Sequence, residues 1–462
     1  MKPLVAASVH GALLVLVLAA RPAAAQTNVP LSQVLPDVLR AGVTLGPPLS
    51  GVNHMAHFQP ANPNDPFDKE VDQLVASLGR GLLASLPTFP LGSSSGGFVF
   101  TGDPALGDFR PASRSFGPTF GERAFTSGKG NFNVGFTFQH ASFSSFEGKK
   151  LDDGTMKVYL RHTNCCPAND PTGYPNPTFE ADLVREDLSA KIETNTTAFL
   201  FNYGVTQRLD VGAALPIVNG YASLGAVATI DRLSTADNTS VHYFAGPNCP
   251  DLNNRPNPNC DQKTVDTVEG SETGLGDIVV RAKYRLLKTP GGGLAAGLDL
   301  RLPTGDETKL LGLGTTQAKF IFIASQEMQR FALHGNVSYA AAGTSSVVGD
   351  IPKEIGYNAG VELMAGRATV AFDVLGRVLQ DAVRFSDQVR QYPLDTSNDF
   401  TTRTVFTPST DTLTQVLGIA GVKVLVLPHL LITANAMFQF NDAGLKVKFA
   451  PVVGLEYVFP RQ

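Results

Sequence analysis

Polar and apolar residues change places at every step between Gly276 and Pro303. Ile278, Val280, Ala282, Tyr284 and Leu286 share one face, and Asp277, Arg281, Lys283 and Arg285 the other. After a turn at Thr289–Gly293, Leu294, Ala296, Leu298, Leu300 and Leu302 alternate with Asp299 and Arg301. A period of two predicts strands whose two sides meet different solvents. The pattern returns in Phe132–Phe138, Phe331–Tyr339, Ala368–Val374, Ile432–Phe440 and Val447–Phe459. In a soluble sandwich the polar side is the outer surface; in an outer-membrane barrel it is the interior.

The connections decide between the two. Gly204–Leu209, Thr289–Gly293, Glu327–Arg330, Ala365–Arg367 and Leu427–His429 are tight. Thr163–Ala181, Leu233–Thr273 and Gln380–Thr410 are long and rich in Asn, Asp, Pro and Thr. Short turns at one end and long loops at the other are the habit of outer-membrane barrels. The expectation is an all-β, transmembrane antiparallel β-barrel over residues 111–459. Its strands fall near 113–126, 131–147, 155–163, 185–204, 208–231, 274–288, 293–303, 314–327, 331–343, 353–365, 367–380, 411–427, 429–441 and 446–459. That makes about fourteen, with twelve to sixteen allowed. Pro216 and Gly220 mark a candidate break within the fifth.

The first 25 residues read as a secretory signal peptide: Lys2, an apolar run from Leu4 to Ala20, and Ala23-Ala24-Ala25 before Gln26. Its removal takes two of the 37 Lys+Arg, leaving 35 against 41 Asp+Glu, which gives no basis for nucleic-acid binding. Together with the alternation this places the chain in the outer membrane of a Gram-negative bacterium, in contact with lipid. Its last strand ends in Phe459, like the signal read by the barrel-assembly machinery, although three residues follow.

Residues 26–110 do not alternate. Asp65-Pro66 and Asp68 form a helix start, followed by Phe67, Val71, Leu74, Val75, Leu78 and Leu82 at helical spacing up to Pro87. A second short helix fits Leu31–Arg40, limited by Pro36. A partly helical segment with an apolar face to bury, ahead of a barrel, is expected to fold into the lumen as a plug, the alternatives being a periplasmic tether or a helix packed outside the barrel.

Charges at the inward positions follow from alternation, because a charge facing lipid in the bilayer span costs several kcal/mol. Lys157, Arg161, Arg281, Lys283, Arg285, Asp299, Arg301, Glu362, Asp373, Arg377, Lys423, Lys448 and Glu456 are therefore expected to face the lumen. They could form a polar path, or neutralise one another in a filled interior. Cys165 and Cys166 fall in one predicted external loop and Cys249 and Cys260 in the next. They are candidates for disulfides, with three connectivities open. No zinc-knuckle spacing appears, and His54 and His57 lack a convergent carboxylate, so no metal or cofactor is implied. No catalytic constellation emerges either: Ser338 and His334 share a strand face, but alternation turns that face inward.

The run Thr273-Gly274-Leu275-Gly276-Asp277 to Leu287 resembles the outer-membrane transporter family of the meta-pathway of phenol degradation. So does Gly297-Leu298-Asp299-Leu300-Arg301-Leu302-Pro303-Thr304-Gly305-Asp306, and Tyr203–Gly212 with Leu215-Pro216 looks like the family's preceding hairpin. The resemblance covers residues 185–459. That family is similar in architecture to the long-chain fatty-acid transporters, in which an N-terminal plug closes a fourteen-stranded barrel. The resemblance implies passage of hydrophobic or aromatic small molecules, and the first reading is a passive uptake channel. The alternative is a structural or adhesive barrel with a closed lumen and partner-binding loops; an apolar pocket joining loops to lumen would favour uptake.

Overall fold

The computed structural model describes residues 29–46, 76–81, 92–93, 97–101, 110–111, 113–118, 120–161, 181–234, 242–245, 260–347, 349–394 and 399–459. Twelve antiparallel strands close into a barrel. In chain order they are β1 (Phe132–Phe146), β2 (Leu183–Gly204), β3 (Leu209–Asp231) and β4, which runs in two pieces, Gln262–Leu275 and Val279–Thr289. Then come β5 (Gly292–Arg301), β6 (Gln317–Glu327), β7 (Phe331–Ala342) and β8 (Lys353–Ala365). The set ends with β9 (Ala368–Pro393), β10 (Phe400–Leu427), β11 (Leu430–Gln439) and β12 (Leu445–Phe459). β1 closes the sheet by pairing with both β2 and β12. The tight turns share one end with Phe132 and Phe459, which by the habit of such barrels is periplasmic. The long connections share the other end.

The two faces of the wall are inverted relative to a soluble protein. Phe320, Phe322 and Val337 on the outside are 57%, 67% and 58% exposed, while Lys283, Glu362 and Lys423 on the inside are 3%, 2% and 5% exposed. Only lipid outside makes this arrangement favourable, so the chain is an outer-membrane barrel. The sequence contains no Trp. At the turn end an aromatic girdle is built instead from Phe132, Phe201, Tyr457 and Phe459, whose rings meet at 4.7–6.4 Å.

Two of the fourteen expected strands are not barrel strands. Residues Met156–Arg161 pair only with the loop end of β2, from Leu183 to Leu188. Six residues are too few to cross a bilayer, which takes about nine to eleven. Residues 113–118 and 120–126 form no strand and lie inside the barrel. Two expected loops contain strand: β4 begins at Gln262, and Ala382–Pro393 pairs with Phe400–Asp411 as the far part of the β9–β10 hairpin. β3 runs unbroken through Pro216 and Gly220. Pro216 sits where the two pieces of β4 change over, and its carbonyl accepts Gly276 N–H at 2.8 Å. The proline therefore removes a donor where the neighbouring strand is interrupted.

Ahead of the barrel, a turn at Leu31–Gln33 leads into helix α1 (Val34–Gly42). Pro36 does not limit it, because first-turn N–H groups have no intrahelical partner. Val34, Val38 and Leu39 pack against Ile192, Ala222, Ala226 and Val265 on the inner face of β2–β4. Of the helix expected from Asp65, residues 76–81 are helical and the rest lies outside the described residues. The signal-peptide region, His54, His57, Cys165, Cys166 and Cys249 also lie outside them.

Candidate functional site

The interior has a polar tier toward the turn end and an apolar tier toward the loop end. The polar tier holds residues 113–118 and 120–131, a stretch with no partner strand among the described residues, several of whose backbone groups are satisfied by wall side chains. Phe116 N–H donates to Thr369 Oγ1 (3.1 Å), Glu122 N–H to Asn336 Oδ1 (2.6 Å), and Ala124 N–H to Ser325 Oγ (2.9 Å). Ser127 N–H donates to Asp210 Oδ2 at 2.8 Å. Lys423 Nζ donates to the carbonyls of Phe116 (3.2 Å) and Pro118 (2.7 Å), and Gly97 N–H meets the Glu456 carboxylate at 2.7 Å. Buried backbone groups need such partners, so the polar wall serves as the missing neighbour strand.

Beside this stretch, ion pairs cross the wall. His334 sits between Glu362 Oε1 at 3.0 Å and Asp373 Oδ1 at 2.5 Å, and Glu362 also accepts the Ser115 hydroxyl. Arg377 Nη2 meets Glu354 Oε2 at 2.8 Å, Lys319 Nζ meets Glu354 Oε1 at 3.2 Å, and Arg281 Nε lies 3.4 Å from Asp299 Oδ2. Lys283 Nζ lies 3.7 Å from Glu122 Oε2. Arg285 stacks over Phe125 at 5.0 Å and donates to Gly292 O at 2.5 Å. Arg301, half-buried, lines the same polar space as Arg281 and Asp299.

Three of the residues expected in the lumen line lie elsewhere. Lys157 is exposed on the short Met156–Arg161 strand, and Arg161 from the same strand stacks over Tyr392 at 5.1 Å. Lys448 is exposed because the register of β12 shifts between Lys446 and Phe449. Such a bulge adds a residue and exchanges the faces. Val447 consequently turns inward and is 1% exposed.

The apolar tier is a chamber between helix α1 and the wall. Leu31, Val34 and Leu35 form one side, and Phe146, Leu188, Ile192 and Ala222 the other. Its polar contribution is slight, so a molecule within it exchanges water for hydrocarbon, a gain of about 25 cal/mol per Å² buried. The chamber reaches a seam in the wall. β1 pairs with β2 as far as Glu193, the Met156–Arg161 strand resumes the pairing at Leu188, and among the described residues no strand flanks residues 189–192 on that side. Leu151 from the intervening turn covers the seam, its carbonyl accepting Ala190 N–H at 2.5 Å.

A third part of the chamber comes from the β5–β6 connection, which folds inward. Asp277, at the changeover in β4, accepts Gly305 N–H (3.1 Å) and Leu313 N–H (2.8 Å). Thr304 Oγ1 accepts Ile278 N–H (2.9 Å) and donates to Gly276 O (2.8 Å). This clasp brings Leu310, in a left-handed conformation (φ 59°), into the chamber lining and buries Leu313 completely. The Gly276-Asp277 and Thr304-Gly305 segments that carry the family resemblance are thus the two halves of one clasp. Sequence reading left Leu310 in an external loop. The signal was its apolar run, Leu310-Leu311-Gly312-Leu313.

A family model described as "Putative MetA-pathway of phenol degradation" aligns with this region. Residues 172–364 match that model. The match takes in β2–β8 and both halves of the clasp, and ends before strands β9–β12, which the broader resemblance includes. No curated protein matches the chain. Among solved structures, an outer membrane channel from Pseudomonas putida F1 is 12% identical with a TM-score of 0.41, over 73% of this chain and 98% of its own. A Pseudomonas aeruginosa FadL homologue is 12% identical with a TM-score of 0.31, over 79% and 96%. The CymD monoaromatic hydrocarbon channel is 12% identical with a TM-score of 0.28, over 72% and 89%.

Proposed function

We propose that this chain is a passive outer-membrane channel for hydrophobic or aromatic small molecules, closed by its N-terminal segment. The observation that carries this is the apolar chamber, which an adhesive barrel with a filled lumen has no use for. The match of residues 172–364 to a phenol-degradation family model supports the same cargo class. In this reading a molecule captured at the loops enters the chamber beside helix α1. It leaves through the seam at residues 189–192 or down the lumen. No energy source is required, since flow follows the gradient. The proposed layout is a signal peptide over 1–25, a plug that continues beyond 110 to the start of β1, and the barrel from Phe132. The proposal includes insertion by the barrel-assembly machinery and disulfides in the external loops, where Cys260 is buried against Tyr243.

The test is uptake of radiolabelled toluene by cells carrying the wild type or Ile192→Glu. A carboxylate at position 192, beside Leu188 and Val34, opposes apolar cargo, and uptake is expected to fall to the level of cells without the channel. Wild-type uptake in a folded Ile192→Glu protein would remove the chamber from the route.

A further inference from the structure

Helix α1 ends against a carboxylic acid. Glu186, near the start of β2, is 0% exposed, and neither of its carboxylate oxygens has a hydrogen-bond partner. The pairing registers place Val158, Ala228 and Lys263 beside it on the inner face, and Val184 and Leu188 flank it along β2. Gly42, the last residue of α1, lies over the acid so closely that a Cβ there would overlap its oxygens. Lys263 is the charged group that acts on Glu186, but its ammonium donates to the Ala41 carbonyl at 3.0 Å. We infer that Glu186 is a proton-binding site that couples the seating of helix α1 to pH.

An ionised carboxylate at this position is opposed twice. It would be buried without a donor in an apolar layer that includes Val38, Leu39 and Val43. It would also face the carbonyl end of a helix, where the backbone dipoles leave negative charge. The protonated acid meets neither difficulty. Burial accordingly pushes the Glu186 carboxyl well above its ordinary value of 4.5, against the pull of Lys263. Alternation turns the adjacent Arg185 and Asp187 outward, where they pair at 3.1 Å, so this level of the wall stands clear of the lipid. The other charged groups around the seat are engaged or turned away. On α1, Asp37 pairs with Arg40; at the end of β3, Asp231 pairs with Arg403 and Arg232 with Asp261. Lys157 is exposed on the short strand, and Asp182, further along the inner face, holds His242.

When α1 leaves its seat, water reaches the acid, which then ionises at its ordinary value. The seated state therefore holds one proton more than the unseated one. Seating is strongest below 4.5 and weakens as pH rises from there to the raised value, by up to about tenfold per pH unit. A helix of nine residues is not stable in water alone, so α1 unfolds as it leaves.

This inference rests on the reading of the N-terminal segment as the channel's closure and adds what controls it. Hydrogen exchange of the full-length protein in detergent reads the seating directly, with each protection factor referred to the intrinsic rate at the same pH. The factors at residues 38–42 are expected to fall at least about tenfold between about pH 5 and about pH 8. Glu186→Gln keeps the shape of the acid without its titration, and its factors should match at the two pH values. Glu186→Leu is expected to behave likewise and decides the matter if Glu186→Gln does not fold. A flat wild-type profile, or a fall that persists in either folded variant, overturns the inference. Exchange reads the helix and uptake reads the cargo, so a flat profile leaves the toluene route standing, and a failed toluene assay leaves the proton site standing.

Discussion

Single residues carry the joints of this molecule, and Asp182 shows how. It sits just before β2 on the loop side and is 1% exposed. Its Oδ1 accepts the N–H groups of Leu233 (2.8 Å) and Ser234 (2.9 Å), and its Oδ2 lies 2.8 Å from His242 Nδ1. One carboxylate thus ties the start of β2 to the end of β3 and to the loop beyond. Burial pushes the Asp182 carboxyl up, but the bond to His242 and the two backbone donors outweigh it and hold the group below its ordinary value of 3.8. A depressed carboxylate stabilises the fold above that ordinary value, and the contribution is lost as pH falls below it through the lowered folded-state value. The protection factors for hydrogen exchange at Leu233 and Ser234 are therefore expected to be high at neutral pH and to fall in acid below 3.8. Asp182→Asn, which cannot titrate, should flatten that dependence. The same loss of protection in acid in Asp182→Asn would assign the effect to another group.

At the scale of elements, the clasp at Asp277 makes a sharper prediction. Asp277→Ala leaves the buried N–H groups of Gly305 and Leu313 without acceptors, at a cost on the order of 2 kcal/mol or more. The inward loop 302–316 then opens locally, and exchange at Leu313 should accelerate roughly 30-fold while β5 and β6 stay protected. Equal acceleration in β5 and β6 would mean that the loop and the wall unfold as one unit. The elements also mark what the sequence could tell. Strands such as β4, β5 and β7 were legible because lipid and lumen impose opposite solvents, and every residue between Val279 and Arg285 obeys. Where a ladder leaves the membrane that contrast weakens. The far part of the β9–β10 hairpin has the composition of a loop, and the Met156–Arg161 strand alternates like a spanning one. The shift in β12 that exposes Lys448 leaves no periodic trace at all. Residues 113–131 were hardest to place, since a segment bonded to wall side chains follows no period of its own.

The whole molecule is a twelve-stranded wall around an interior supplied partly by the chain that precedes it. How far that chain must be removed to open the barrel follows from where its bonds lie. Helix α1 packs on the loop-side wall, whereas Phe116, Glu122, Ala124 and Ser127 are bonded across the turn-side lumen to β9, β7, β6 and β3. Deleting residues 26–110 removes the first set and leaves the second, with Lys423 still holding Phe116 and Pro118. That variant is expected to conduct weakly in planar bilayers, little above the full-length protein. Deleting residues 26–126 removes most of the second set as well and should give large, stable ionic steps. Full conductance already after the shorter deletion would show that residues 113–126 do not seal the lumen. Silence after the longer one, in a protein whose circular dichroism is that of a folded barrel, would mean that the wall side chains fill the interior unaided. Ion conduction would then be ruled out, and apolar cargo would have only the seam at residues 189–192 as its way out.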